Sequence, residues 1–153
     1  MKPRVLVSEC LLGVNCRYDG GGKAIPELRE LMALAELIPV CPEVLGGLPT
    51  PRTPSERRGG RVVARDGADV TAAFARGAGE ALKLAELFGA RIALLKERSP
   101  SCGSGTIYDG SFSGGLTPGD GVAAEMLKEN GIIVYGESRA RELIDELKGG
   151  NGK

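Results

Sequence analysis

The chain contains no histidine and no tryptophan among its 153 residues, and only three tyrosines and three phenylalanines. Without imidazole, the usual neutral-pH proton shuttle and the commonest metal ligand are both missing. Acid–base chemistry must come from Glu, Asp, Lys, Cys, Ser or Tyr, and any metal must be held mainly by thiolate and carboxylate. No apolar run approaches the roughly 20 residues that span a bilayer. Met1-Lys2-Pro3-Arg4 leads at once into a strand-like run, without the longer apolar region and cleavage site of a signal peptide. The expectation is a soluble, cytoplasmic protein with no membrane partner. Net charge is absent too: 20 basic residues balance 20 acidic ones, which argues against a global affinity for nucleic acid polymers. No Gly-x-x-x-x-Gly-Lys run occurs, and Gly103-x-Gly105 lacks the third glycine of a dinucleotide fingerprint, so ATP, NAD and FAD are set aside.

What remains is ordinary globular material, 42% hydrophobic and 26% charged. A chain of this length has room for one domain that buries roughly 70% of its unfolded surface. Consecutive apolar residues at 4–8, 38–41, 91–96 and 132–134 read as strands covered on both faces. Between them, apolar positions with a 3.6-residue period mark helices from Pro26 to Ile38, from Thr71 as N-cap to Phe88, from Asp120 as N-cap to Leu127, and from Ser138 to Leu147. Val62-Val63-Ala64, the turn-like Asp66-Gly67 and Val70 suggest a small extension or hairpin, and residues 103–121 read as a long glycine-rich loop, a functional lid or a disordered segment. Strands alternating with helices predict an α/β fold: a single three-layer, Rossmann-like domain with a mostly parallel sheet over 1–148, and a fraying tail at 149–153.

Three of the four cysteines follow predicted strands: Cys10, Cys41 and Cys102. The ends of parallel strands share one edge of the sheet, so these thiols are expected to meet in one cleft. Their spacings fit no zinc ribbon or C-x-x-C pair, and in a reducing compartment ligation or catalysis is expected over disulfides. Three thiolates suit Zn, Cu(I) or iron–sulfur, and a site without histidine leans towards iron–sulfur. Arg52, Arg57, Arg58, Arg61 and Arg65 crowd one Gly/Pro-rich segment, where they contact a phosphate or, in the plainer reading, solvate a loop.

Three blocks occur in order: Ser8-x-Cys10-Leu11-Leu12-Gly13-x-x-Cys16-Arg17-Tyr18-Asp19-Gly20, then Cys41-Pro42-Glu43-x-x-Gly46-Gly47-Leu48-x-x-Pro51-Arg52, then Ser99-Pro100-Ser101-Cys102-Gly103. In these the chain resembles the 2-thiouracil desulfurase family, and the resemblance covers essentially its whole length. It implies a 4Fe-4S cluster held by Cys10, Cys41 and Cys102 with one iron free of protein ligand, and removal of sulfur from a small thiolated nucleobase without net electron transfer. Glu43 is implied as general base and Ser101 as a hydrogen-bonding partner of the ring or the attacking water, the plainer alternatives being a carboxylate that orders its loop and a serine satisfying its own turn. Cys16 reads as packing or support beside the site, with a fourth ligand or a sulfur acceptor as alternatives. Arg17, Tyr18 and Asp19 form a pocket wall or a solvated turn. Two rivals stand: a zinc-thiolate module without catalysis, and a desulfidase acting on thiolated tRNA. The oligomeric state is not legible.

Overall fold

The computed structural model describes residues 1–150. Its centre is a four-stranded parallel sheet in the order β2-β1-β5-β8, formed by β1 (Arg4–Ser8), β2 (Glu36–Val40), β5 (Ile92–Leu95) and β8 (Ile133–Gly136). Val5 of β1 is in register with Leu37 of β2 on one side and Ile92 of β5 on the other. Val5, Leu6 and Val7 have no exposure at all, which is why this strand is apolar on consecutive positions. Val5 and Val7 point to one face, where they pack with Leu31 of α1 (Leu28–Leu34) and with Leu143 and Ile144 of α5 (Ala140–Gly150). Leu6 points to the other, packing with Ala81 and Ala85 of α3 (Thr71–Phe88) and Leu127 of α4 (Val122–Glu129). The three-layer α/β architecture read from the sequence is the one observed.

Several local expectations are corrected. Ile38 lies in β2, not on the helical stripe: α1 stops at Leu34 because Ala35 is extended, and residues 36–40 pair with β1. The glycine-rich stretch after β5 is no structureless loop, since β6 (Thr106–Tyr108) and β7 (Leu116–Pro118) pair antiparallel within it. A second hairpin joins β3 (Ser55–Arg58) and β4 (Arg61–Ala64). Thr71 does not cap α3; its Oγ1 accepts the Val62 N–H at 2.9 Å and so ties the helix to β4. Asp120 does not cap α4 either, because its Oδ1 accepts the Gly105 N–H at 2.8 Å and a proton of the Lys128 ammonium at 2.9 Å. Gly149 and Gly150 continue α5, and residues 151–153 lie outside the described residues.

The contact that positions α2 (Pro42–Leu45) is between backbones. Gly77 of α3 lies so close to the Pro42 carbonyl oxygen, and Gly46 so close to that of Ala73, that a Cβ on either would overlap the opposing oxygen. The Arg76 guanidinium adds a hydrogen bond of 3.0 Å to the Gly46 carbonyl. Two glycines thus fix the short helix that immediately follows Cys41.

Alanine has the higher helix propensity by about 1 kcal/mol, yet a clash with rigid backbone costs about 1–3 kcal/mol, so the clash wins at Gly77. Gly79, on the same helix with open space around it, is the control. We predict that Gly77→Ala lowers stability by up to about 2 kcal/mol while Gly79→Ala raises it by about 0.5–1 kcal/mol. Denaturant titrations of the two variants check this; equal effects would disprove the interlock.

Candidate active site

The chain crosses from β2 on one side of β1 to β5 on the other, so the crevice at the carboxyl ends of β1 and β5 is a topological switch point. Ser8 closes β1 and its hydroxyl accepts the Lys96 N–H at 3.0 Å, tying the two strand ends together. From there a 3₁₀ turn (Glu9–Leu12) carries Cys10. Cys41 sits between β2 and α2, with Pro42 at the helix start, where its missing N–H costs nothing. Cys102 lies in a turn after β5, where Ser99 Oγ accepts the N–H groups of Ser101 and Cys102, both at 3.1 Å. A Cβ on Gly121 would stand 2.8 Å from the Cys102 nitrogen, so the start of α4 presses directly on this turn. Cys10, Cys41, Cys102 and Cys16, all free thiols and all buried, line one cavity of about 420 Å³ together with Glu43 and Ser101. The three thiols expected in one cleft are in one cleft.

Glu43 is held at both oxygens. Its Oε1 accepts from Arg52 Nε at 3.0 Å and its Oε2 from the Ser101 hydroxyl at 3.1 Å. Because Ser99 serves the backbone of the turn, the Ser101 hydroxyl is left to reach Glu43. Ser101 Oγ also lies 3.6 Å from Cys102 Sγ and 3.0 Å from Ser99 Oγ. A serine has one proton to give: with Glu43 ionised it goes to the carboxylate, and Ser99 then donates to Ser101.

Arg52 is the site residue that sequence reasoning undervalued. Grouped with four neighbouring arginines, it read as part of a patch; in the structure its side chain is only 6% exposed. Besides Glu43 it donates to the carbonyls of Cys16 at 2.9 Å and Pro49 at 3.0 Å, and to Thr50 Oγ1 at 3.1 Å. The available signal was its place at the end of the Cys41 block. The other four are committed as well. Arg57 binds the Asp120 carbonyl and Glu125, Arg58 the Gly110 carbonyl, and Arg61 pairs with Asp69, while Arg65 lies over the Phe112 ring. Arg17, Tyr18 and Asp19 line the cavity mouth, with the Asp19 carboxylate also closing a turn on the Gly21 N–H at 2.9 Å.

Burial dominates the electrostatics of the thiols. It pushes Cys10 up to about 11, against the opposing pull of the Lys96 ammonium, which itself pairs with Glu137 at 3.1 Å. Burial pushes Cys102 up to about 12, opposed by hydrogen bonds from Ser8 and Ser101. Burial and the adjacent Cys41 thiol raise Cys16 too, and Cys41 Sγ lies 3.8 Å from the Cys16 carbonyl. Thiols of this kind lose their protons when a cation takes them. Among the described residues, no three Cys, Asp or Glu side chains converge closely enough to hold a single metal ion. Thiols spread around one cavity suit a polynuclear group, whose ligands bind different metal atoms.

Comparison with known proteins agrees with this geometry. Residues 5–139 match the sequence model of 2-thiouracil desulfurase. The chain is 41% identical over 150 residues to the uncharacterized protein YbbK of Bacillus subtilis (strain 168), covering 92% of this chain and 99% of that protein. It is also similar to the solved structure of the 4Fe-4S-dependent thiouracil desulfidase TudS, with a TM-score of 0.91 and 50% identity over 96% of this chain and 99% of that one.

The raised thiols generate a pH dependence in protein freed of metal by chelation. Folded Cys10 and Cys102 keep their protons where unfolded cysteines, near 9.0, have ionised, so their contribution to stability is present below pH 9 and is lost as pH rises towards 11 and 12. We predict a denaturation midpoint that falls over this range, and falls less in Cys102→Ala. Thiolate absorbance that titrates at the ordinary value, with no difference between the two proteins, would contradict the burial argument.

Proposed function

The chain belongs to the 2-thiouracil desulfurase family, and on that premise we propose that it is a desulfurase dependent on a 4Fe-4S cluster, converting a thiolated nucleobase such as 2-thiouracil and water to the oxo base and sulfide. The observation that carries this reading is the meeting of Cys10, Cys41 and Cys102 with Glu43 and Ser101 around one cavity. The donor set fits such a cluster: soft thiols from three separate loops and no histidine. Cys10, Cys41 and Cys102 would hold it, and Cys16, beside Cys41, supports that ligand from the cavity wall.

When bound, the cluster supplies a soft Lewis-acidic iron that favours the thione sulfur and leaves the ring carbon electrophilic. The chain's own residues supply the rest. Glu43 takes a proton from the attacking water, which forms the new C–O bond as the C–S bond breaks. Arg52 fixes Oε1 of that carboxylate and leaves Oε2 and the Ser101 hydroxyl facing the cavity. Ser101, joined to Glu43, can pass a proton towards the departing sulfur. Water contributes the oxygen, sulfur leaves at the oxidation state in which it entered, and no external electron donor is needed.

The preferred substrate in this reading is a free base and not thiolated tRNA. Four of the five arginines of the 52–65 segment are hydrogen-bonded within the protein and Arg65 lies over the Phe112 ring, which disfavours their use as a strip of cations for an RNA backbone. Among the described residues no helix is long and apolar enough to cross a membrane. Four unpaired thiols suit a reducing compartment such as the cytoplasm.

Anaerobic purification with iron and sulfide analysis, followed by turnover of 2-thiouracil, tests the proposal. A colourless zinc protein without turnover would overturn it. Cys10→Ala, Cys41→Ala and Cys102→Ala should each lose most of the iron, whereas Cys16→Ala should keep it. Full iron loss in Cys16→Ala would demand a different ligand set. Glu43→Gln keeps the shape and removes the base, so turnover should drop by roughly 100-fold or more at unchanged iron. Undiminished turnover would leave Glu43 a structural role.

A further inference from the structure

The loop 109–115, between β6 and β7, places the Phe112 ring on the cavity wall and does so against local preference. The backbone φ of Phe112 is +57°, a left-handed conformation that suits glycine and that bulky residues rarely adopt. Gly110, Gly114 and Gly115 stand in the same loop, so a residue free of this strain would have been an ordinary occupant of position 112.

Neighbouring elements hold Phe112 there. Glu56 of β3 is 9% exposed, and its Oε1 accepts the N–H groups of Gly110 at 2.9 Å and Phe112 at 3.1 Å. Arg58 donates to the Gly110 carbonyl at 2.7 Å, and its guanidinium carbon lies 6.0 Å from the centre of the Phe112 ring. Arg65 approaches the ring to 5.5 Å. A buried carboxylate thus holds the backbone of the loop and two arginines flank its half-buried ring, in the cavity that the four cysteines also line. The backbone alone does not require this, since glycine would take the same conformation without strain. What a flat, rigid ring adds is a stacking face.

Taking the desulfurase reading as the source of a planar ring in this cavity, we propose that Phe112 is the wall against which the substrate ring stacks, and that Glu56 is the positioning residue that holds it there. Arg65 lines the cavity together with the ring, whereas Arg58 does not, so a heteroaromatic partner seated against Phe112 also meets the Arg65 guanidinium. Stacking acts on the bound ring in ground state and transition state alike, so its loss shows in KM and in affinity, not in kcat.

The test uses iron-loaded protein and two readouts: 2-thiouracil kinetics, and calorimetric titration of uracil, the product ring. Phe112→Ala should raise KM and weaken uracil binding by roughly 10-fold or more, with kcat and iron content unchanged, and Phe112→Tyr should recover most of the loss. Glu56→Ala should raise KM in the same way at constant kcat. Phe112→Gly relieves the backbone strain, so it should melt no lower than Phe112→Ala while binding uracil as weakly. KM and uracil affinity within about 2-fold of wild type in Phe112→Ala would overturn the proposal. So would loss of iron from that variant, which would make Phe112 part of the cluster scaffold. Wild-type protein that binds uracil but turns over no thiouracil would sink the desulfurase reading alone, leaving the titrations to decide on Phe112. Absence of both overturns both.

Discussion

Everything at the site hangs on the central strand β1, which is hydrogen-bonded in parallel on both sides, to β2 and to β5. A parallel strand needs a crossover before its partner, so the segments after β1, β2 and β5 all emerge at the same edge of the sheet. Residues 10, 41 and 102 have no sequence proximity, and it is this pairing that makes them neighbours. The Ser8 to Lys96 hydrogen bond at 3.0 Å closes the seam between β1 and β5 where the cavity opens. Shifting the register of β1 by one residue would exchange Val5 and Val7 with Leu6 between the two helical layers and swing the Cys10 turn away from its partners.

Around that seam the loops are held by atoms with little freedom to move. Backbone carbonyls meet glycines between α2 and α3, and Gly121 meets the turn of Cys102. Arg52 adds a polar counterpart: one guanidinium joins the Cys16 carbonyl, the Glu43 carboxylate and the Pro49 carbonyl. A planar fork with several fixed donors can tie the Cys16 loop, helix α2 and its own segment together at once, which a lysine at the same place could not do.

The parts legible in the sequence were those with a strong period or a forced geometry. Strand β1 and helix α3 sit where their apolar patterns place them, and Gly89 ends α3 in the left-handed conformation that suits glycine. The meeting of Cys10, Cys41 and Cys102 was legible because they follow strands, and the family blocks singled out Glu43 and Ser101, which line the same cavity. What stayed hidden depends on partners far along the chain. Arg52 could not be told from Arg61 by composition, yet one is buried on a carboxylate and the other is largely exposed beside Asp69. The short strands β6 and β7 carry only three residues each, too few to show alternation among the glycines. Thr71 and Asp120 have the chemistry of caps, but Val62 and Gly105 compete for the same oxygens and win by proximity.

The way the cavity is walled bears on how such a protein matures. In a small zinc-binding domain the metal and the fold arrive together, because the unfolded chain has no other reason to gather its ligands. Here the sheet pairing, the glycine interlocks and the Arg52 links gather the thiols through contacts between protein groups, and burial favours the protonated form of Cys10 and Cys102. The thiols therefore meet through the fold itself, and a cation that takes them must displace protons that burial favours.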